Sequence, residues 1–256
     1  QQDVPAAVTG DTIEAVTGVI DYSFGEFKLL ATDAPVVIRG DTVEDVTTLR
    51  NEKEGDLTVA TYNVLNLDPS DGDQFAQLAA DIVSNLGAPM IIGLQEIQDN
   101  NGSINDGTVS ADQTYQLLID AIVDAGGPLY GFADSTPTDL ADGGQPGANI
   151  RNGFLYQTDE VTLVSTERLE GDAFDPNGAF DADPTPGDGI NEGFAGTRKP
   201  FVGVFEVDGE QVTIVNNHFK SKSGDDPLTG AVQPPVEVTE VQRVRQAEVV
   251  NTFVSG

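Results

Sequence analysis

Apolar and polar residues alternate over residues 57–62, and this pattern with its β-forming side chains predicts a strand. Two later stretches, Asp73–Leu86 and Asp112–Ala125, instead repeat apolar residues every three or four positions, which predicts amphipathic helices. Between them Met90–Leu94 is wholly apolar and predicts a strand covered on both faces. The order strand, helix, strand, helix is typical of a layered α/β protein.

The second half of the chain predicts further strands and one helix. Asp208-Gly209 has the composition of a hairpin turn. The predicted strands are Gly153–Gln157, Val161–Ser165, Pro200–Val207 and Gln211–Val215. Residues 237–254 predict a helix, and we expect one stripe of it to face inward: Val241, Val244, Ala247, Val250 and Val254.

The first 50 residues have a different pattern, with short β segments at Ile13–Ile20, Gly25–Ala31 and Pro35–Ile38. We interpret residues 1–50 as the remnant of a small β domain with a linker, and residues 51–256 as the main domain. Residues 1–20 lack the basic and apolar regions of a signal peptide. Gln1 is unlike a natural start, which indicates a mature or excised segment.

Composition narrows the functional classes. The 256 residues contain no cysteine, so disulfides and thiolate metal sites are excluded. The 43 acidic and 12 basic residues give a formal net charge of −31. Such a surface suits a salty environment, where charges are screened, and we expect a secreted protein; for most of these acids a solvated surface is the simplest interpretation. Seven of the twelve bases lie in or beside polar segments: Arg151, Arg198, Lys199, Lys220, Lys222, Arg243 and Arg245.

His218 is the only histidine in the chain and directly follows the strand predicted at Gln211–Val215. Asn217 precedes it, and Lys220 and Lys222 follow. A strand end that presents amide donors, a titratable ring and cations is typical of a phosphate site. The alternative is a surface or capped loop histidine.

Asn63 and Glu96 each end an apolar strand, so we expect them at one rim of a sheet. A carboxylate there suits Mg²⁺, which prefers oxygen ligands and takes few of them from the protein. The alternative is an exposed strand end for Glu96 and a cap for Asn63.

Four motifs occur in order: Thr-Tyr-Asn-Val-Leu-Asn at 61–66, Leu-Gln-Glu-Ile at 94–97, Thr-Arg-Lys-Pro at 197–200 and Asn-Asn-His-Phe-Lys-Ser-Lys at 216–222. Together they resemble the endonuclease/exonuclease/phosphatase superfamily, the DNase I-like group, and within it large secreted bacterial nucleases. Residues 17–25, 233–235 and 242–247 resemble the same subgroup. The resemblance implies a DNase I-like layered α/β sandwich, with mixed sheets and flanking helices, and divalent-metal-dependent phosphodiester hydrolysis of DNA or RNA.

The resemblance also implies residue roles. Glu96 corresponds to the metal-binding glutamate and Asn63 to the asparagine beside metal and phosphate. His218 corresponds to a histidine that contacts the phosphate or assists the leaving group, and Arg198 to a basic residue of the phosphate site. Asn217, Lys220, Lys222 and Arg151 are the other expected substrate contacts. The implied cofactor is Mg²⁺, with Ca²⁺ or Mn²⁺ as alternatives.

The chain departs from the superfamily pattern in two motifs. A Gly-Asp-x-Asn strand end and a later Asp-His pair, which would position water and supply the general base, are both missing. We therefore expect a domain truncated at its C-terminus, with little or no nuclease activity in this chain and an active longer parent. Truncation would also expose apolar sheet surface and a strand edge, which favours association.

Three functional alternatives remain open from the sequence. One keeps the fold and changes the substrate to lipid or inositol phosphates. Another is a non-catalytic, acidic, cation-binding extracellular module. A third feature, the acidic segment 172–192, contains five possible oxygen ligands for Ca²⁺, although a solvated loop is the simpler interpretation. These ligands are Asp175, Asn177, Asp181, Asp183 and Asp188.

Overall fold

The computed structural model describes residue 7 and residues 10–40, 56–169 and 192–256. The chain divides into two compact units, residues 1–47 with 221–240 and residues 48–220 with 241–256. The predicted domain boundary at residue 50 and the acidic segment at 172–191 lie outside the described residues.

The described part of the first unit contains four short strands. β1 (Thr12–Ile13) pairs with β4 (Val37–Ile38), and β2 (Gly18–Ser23) pairs with β3 (Glu26–Ala31), both antiparallel. Lys222 lies in this unit and is exposed. The predicted β segments are thus confirmed, with shifted ends.

The second unit is built on a four-stranded sheet in the order β5-β6-β8-β7. Its strands are β5 (Val59–Leu67), β6 (Ile91–Ile97), β7 (Tyr130–Asp134) and β8 (Arg151–Gln157). β5 and β6 run parallel, and the other pairs are antiparallel. β7 is a strand that the sequence pattern did not predict, since Gly131 and Ala133 interrupt its β-forming residues.

Two helices cover one face of this sheet. They are α1 (Asp73–Ala80), which continues as a π-helical turn over Asp81–Asn85, and α2 (Asp112–Asp124). The predicted apolar faces are confirmed: both helices and the strands share one cluster that includes Phe75, Ile82, Tyr115 and Leu118. Val123, which the pattern placed inward, is exposed.

A three-stranded antiparallel sheet covers the opposite face. Its order is β11-β10-β9, with β9 (Thr162–Arg168), β10 (Phe201–Val207) and β11 (Glu210–Asn216). Phe154 of β8 stacks on Phe201 and meets Phe205 edge-on, so aromatic rings fill the space between the sheets. Mixed sheets with flanking helices confirm the predicted layered α/β sandwich.

The last helix, α3 (Glu240–Ser255), packs differently from the prediction. The expected inward stripe is wrong, because Val241, Val244 and Val254 are exposed. Gln246 and Val249 are the buried residues instead. The helical period was correct, but the amide of Gln246 turns inward because it satisfies backbone and hydroxyl groups of the neighbouring loops.

Candidate active site

β5 and β6 both carry irregularities where they end side by side. The pairing of β5 with β6 shifts register between Asn63 and Leu67, and that of β6 with β8 shifts between Gln95 and Ile97. Glu96 lies in the second bulge with φ 66°, and Leu65 and Asn66 also have positive φ. Such backbone costs about 1–3 kcal/mol per residue and tends to occur at functional sites.

The bulges direct two groups of β5 at one carboxylate. Asn63 Nδ2 donates to Glu96 Oε1 at 3.0 Å, and the backbone N–H of Asn66 donates to Glu96 Oε2 at 3.1 Å. Asn63 is itself fixed, because its Oδ1 accepts from the N–H of Leu65 at 2.9 Å. The structure therefore places Asn63 beside Glu96, as the strand ends predicted, and holds both carboxylate oxygens.

His218 approaches the same carboxylate from the loop that follows β11. Its Nε2 lies 3.6 Å from Glu96 Oε1. Burial and the positive charge of Arg198 lower the pKa of His218 from 6.5 to about 4, and the negative charge of Glu96 only partly opposes this. The imidazole is therefore neutral at pH 7 and has one N–H and one lone pair to offer.

Arg198 lies on the segment that leads into β10. Its Nη2 donates to the carbonyl of Phe219 at 2.7 Å, which holds the residue after His218. Burial lowers the pKa of Arg198, while the charges of Glu96 and Asp142 oppose that shift. The guanidinium is thus a buried positive charge within electrostatic range of both Glu96 and His218.

Three polar atoms of this cluster are buried without a hydrogen-bond partner among the described residues. They are His218 Nδ1, Asn217 Oδ1 and Arg198 Nε. Folded proteins leave few such atoms unpaired. Two of these residues, Arg198 and His218, interact electrostatically with Glu96, so unpaired polar atoms occur beside the carboxylate.

Lys220 and Lys222 separate in the structure. Lys220 follows His218 by two residues, is half-buried, and its backbone N–H donates to Gln246 Oε1 at 2.8 Å. Lys222 belongs to the first unit, where its carbonyl accepts from the N–H of Asp225. Only Lys220 is therefore described within the unit that holds Glu96.

Arg151 and Lys199 occupy buried ion pairs. Arg151 Nη1 lies 3.0 Å from Asp134 Oδ2, and its other nitrogens donate to the carbonyls of Val109 and Asn149. Lys199 Nζ lies 3.0 Å from Asp142 Oδ1. The predicted substrate contact of Arg151 conflicts with this placement, because its side chain is fully buried and every guanidinium nitrogen has a protein partner.

A divalent cation is compatible with these residues. The described residues contain no group of three or more His, Cys, Asp or Glu that could form an all-protein cage. Mg²⁺ needs no such cage, since it is commonly held by one or two carboxylates together with substrate phosphate and water. The oriented carboxylate of Glu96 suits that type of site, with the Asn63 amide beside it.

Sequence reasoning missed three polar residues that support the site. Gln95, Asn216 and Gln246 are all buried and each bridges separate segments. Gln95 and Asn216 lie within the motifs at 94–97 and 216–222, and Gln246 lies within the similar segment 242–247, which was the available signal. Their bridging contacts could not be predicted, because the partners lie on distant segments of the chain.

Comparison with known proteins adds several similarities. A family model described as a domain of unknown function (DUF8508) matches residues 1–41. A search of curated proteins gave no match. No helix in the described ranges has the length and apolarity needed to cross a bilayer.

Solved structures similar to this chain include endonuclease/exonuclease/phosphatase family proteins. One, from Leptotrichia buccalis, is 10% identical with a TM-score of 0.47, over 78% of this chain and 62% of that one. D. rerio TDP2 complexed with single strand DNA product is 15% identical with a TM-score of 0.41, over 78% and 54%. The human Nocturnin catalytic domain with bound sulfate is 14% identical with a TM-score of 0.37, over 66% and 52%. The chain therefore spans about half to three fifths of the length of these structures.

Proposed function

We propose that this chain carries part of a divalent-metal-dependent phosphodiesterase site that acts on nucleic acid outside the cell. The observation that carries the proposal is the convergence of the Glu96 carboxylate, the neutral His218 imidazole and the buried Arg198 guanidinium at one end of the sandwich. Metal-assisted phosphodiester hydrolysis uses a carboxylate that binds the metal ion, a positively charged side chain that binds a phosphate oxygen, and a neutral group that can carry a proton. Glu96, Arg198 and His218 are groups of these three kinds.

Each side chain has a distinct part in this proposal. Glu96, with Asn63 beside it, holds the cation, which when bound supplies charge that stabilises a phosphate in its transition state. Arg198 supplies positive charge for a phosphate oxygen, and its Nε has no hydrogen-bond partner among the described residues. His218 contacts a phosphate oxygen through the N–H of its neutral ring, and Asn217 contacts one through its Nδ2 amide, which also donates to the carbonyl of Val215.

The charge distribution supports a short-range rather than a long-range attraction for a polyanion. With a formal net charge of −31 the chain repels nucleic acid at a distance. Arg198 and Lys220 lie next to His218 as local positive charge. We therefore expect binding to depend strongly on the divalent cation and to be stronger at moderate ionic strength than at very low ionic strength.

The test compares substrate classes on protein of the length that its native source produces, established by intact mass. Supercoiled DNA, single-stranded RNA and sphingomyelin vesicles are each incubated with Mg²⁺, Mn²⁺, Ca²⁺ or EDTA. We expect cation-dependent cleavage of nucleic acid that Glu96→Gln abolishes. Cleavage of sphingomyelin alone would support a lipid phosphodiesterase, and cation binding without cleavage of any substrate would support the non-catalytic module.

A further inference from the structure

One short hydrogen bond joins the two sheets directly beneath the candidate site. Gln95 Nε2 donates to Asn216 Oδ1 at 2.6 Å, and both side chains are buried. Gln95 precedes Glu96 on β6, and Asn216 precedes Asn217 and His218 at the end of β11. The bond therefore joins the residue directly before Glu96 to the residue two positions before His218.

Asn216 is held on its other side as well. Its Nδ2 donates to the carbonyls of Leu94 and Gly153 at 2.8 Å each, so the amide spans β6 and β8. Gly93 leaves room for this side chain, because a Cβ at residue 93 would lie 3.2 Å from Asn216 Cγ. With the amide bonded to three groups, Asn216 has one accessible orientation.

Gln95 extends the same connection to β5. Its Nε2 lies 3.0 Å from Thr61 Oγ1, two residues before Asn63. Asn63 in turn holds Glu96 Oε1. One buried amide thus contacts both strand ends whose residues face Glu96.

A polar connection at this point has a geometric consequence that an apolar contact lacks. Apolar pairs tolerate sliding and rotation at similar energy, whereas a fully bonded amide pair fixes both distance and direction. Glu96 also has a left-handed backbone, which persists only where its surroundings over-determine it. The surroundings of Glu96 include the Gln95–Asn216 hydrogen bond, which we call the joint, on one side and the Asn63 and Asn66 hydrogen bonds on the other.

We propose that Gln95 and Asn216 are positioning residues, which set the placement of His218 relative to Glu96 through their hydrogen bond. This inference rests on the proposed function for its consequence, because the Glu96–His218 pair is where cation and phosphate would be bound. The geometric part stands independently of any activity. The joint acts only through its neighbours and contacts no substrate.

The unique histidine makes the joint directly measurable. In the metal-free 256-residue chain the His218 imidazole gives the only histidine ring signals in a proton NMR spectrum. Gln95→Leu and Gln95→Met remove the donor to Asn216, together with its contacts to Thr61 and Gly93, and introduce an apolar side chain of similar size. Gln157→Leu is the matched control, because Gln157 lies on the same sheet and its Nε2 also bonds a carbonyl, that of Ala88 at 2.7 Å.

We expect both Gln95 variants to shift the His218 ring signals at pH 7, and Gln157→Leu to leave them at the wild-type position. In a second arm, Mn²⁺ affinity is measured by relaxation, and it should fall by about tenfold or more in the Gln95 variants, as for other residues that orient metal ligands. The combination Gln95→Leu/Asn216→Val should change the His218 signals by less than the sum of the two single effects, since both substitutions break the bond between residues 95 and 216.

Two results would contradict the proposals, one for the positioning role of Gln95 and Asn216 and one for the proposed function. Unchanged His218 signals in folded Gln95→Leu and Gln95→Met, with a stability loss equal to that of Gln157→Leu, would show that the joint is only structural. Absence of Mn²⁺ binding in the wild-type chain would contradict the proposed function. The His218 signals of the metal-free chain would still show whether the joint sets the position of the imidazole. Should Gln95→Leu not fold, the length-matched Gln95→Met carries the test.

Discussion

The imidazole Nε2 of His218 lies 3.6 Å from Glu96 Oε1, although Glu96 lies on β6 and His218 follows the end of β11 in the other sheet. This separation exceeds a normal hydrogen bond, and the pKa of His218 is about 4, so the pair is not a salt bridge at neutral pH. A carboxylate that faces a neutral ring remains free to accept a cation. The relationship thus predicts distinct outcomes for changes to either residue.

Glu96→Gln should abolish divalent-cation binding at the site. The substitution keeps the shape of the side chain and removes the negative charge that a cation requires. Mn²⁺-induced broadening of the His218 ring signals measures binding and reports its position at the same time. Glu206→Gln is the control, because Glu206 is an exposed carboxylate on β10. Equal broadening in wild type and Glu96→Gln would place the cation elsewhere.

The titration of His218 should follow the charges around it. Arg198 lowers its pKa, so Arg198→Met should raise the value from about 4 toward 6.5. Glu96 raises the pKa, so Glu96→Gln should lower it further. Proton NMR titration of the single histidine measures both shifts. Arg245→Met removes one positive charge on α3 as a control; a shift as large as that of Arg198→Met would mean that general charge, not Arg198, sets the pKa.

The same pKa has a consequence for stability. Because the folded pKa of about 4 lies below 6.5, the folded state binds fewer protons than the unfolded state between these values. The contribution of neutral His218 to the free energy of unfolding is therefore fully present above about pH 6.5 and is lost as the pH falls toward 4. Urea unfolding at a series of pH values should show a steeper decline for wild type than for His218→Gln. Parallel curves for the two proteins would contradict the lowered pKa.

Arg151 should contribute to stability rather than to substrate binding. Arg151→Met leaves Asp134 without its ion-pair partner, and loss of one member of a buried pair costs about 3–5 kcal/mol. The double variant Arg151→Met/Asp134→Asn should recover part of this loss, because no unpaired charge remains. Urea unfolding measures both values. A drop in nucleic-acid affinity at unchanged stability would instead support the substrate contact that the sequence suggested.

The spacing of apolar residues along the chain predicted those strands and helices whose buried face follows from that spacing. Ile91 and Ile92 face opposite clusters, as the wholly apolar β6 implied. The shared rim of Asn63 and Glu96 also followed from strand ends, whereas the role of His218 in the same site was implied by the family resemblance. The bulge at Glu96 could not be predicted, because its left-handed backbone is stabilised by Asn63 and Asn66 from another strand. The hydrogen bond between Gln95 and Asn216 could not be predicted either, because its two partners are 121 residues apart in the sequence.

The amide of Gln246 links the loop before β10 to the loop after β11, which contains His218. Its Oε1 accepts from the N–H of Lys220 at 2.8 Å, and its Nε2 donates to Thr197 Oγ1 at 2.9 Å. Gln246→Leu leaves both groups without that partner, and a buried unsatisfied donor costs about 1–3 kcal/mol. We expect this destabilisation together with a shift of the His218 ring signals, since Lys220 is two residues away.

Gln242→Leu is the matched control for Gln246→Leu on the same helix. Gln242 Nε2 donates to the carbonyls of Gly193 and Ala195 at 3.3 and 3.1 Å and makes no described bond to residues 216–220. It should lose stability without moving the His218 signals. If both variants shift those signals equally, α3 supports the site through its general packing, and the specific bridge from Thr197 to Lys220 is not what holds His218 in place.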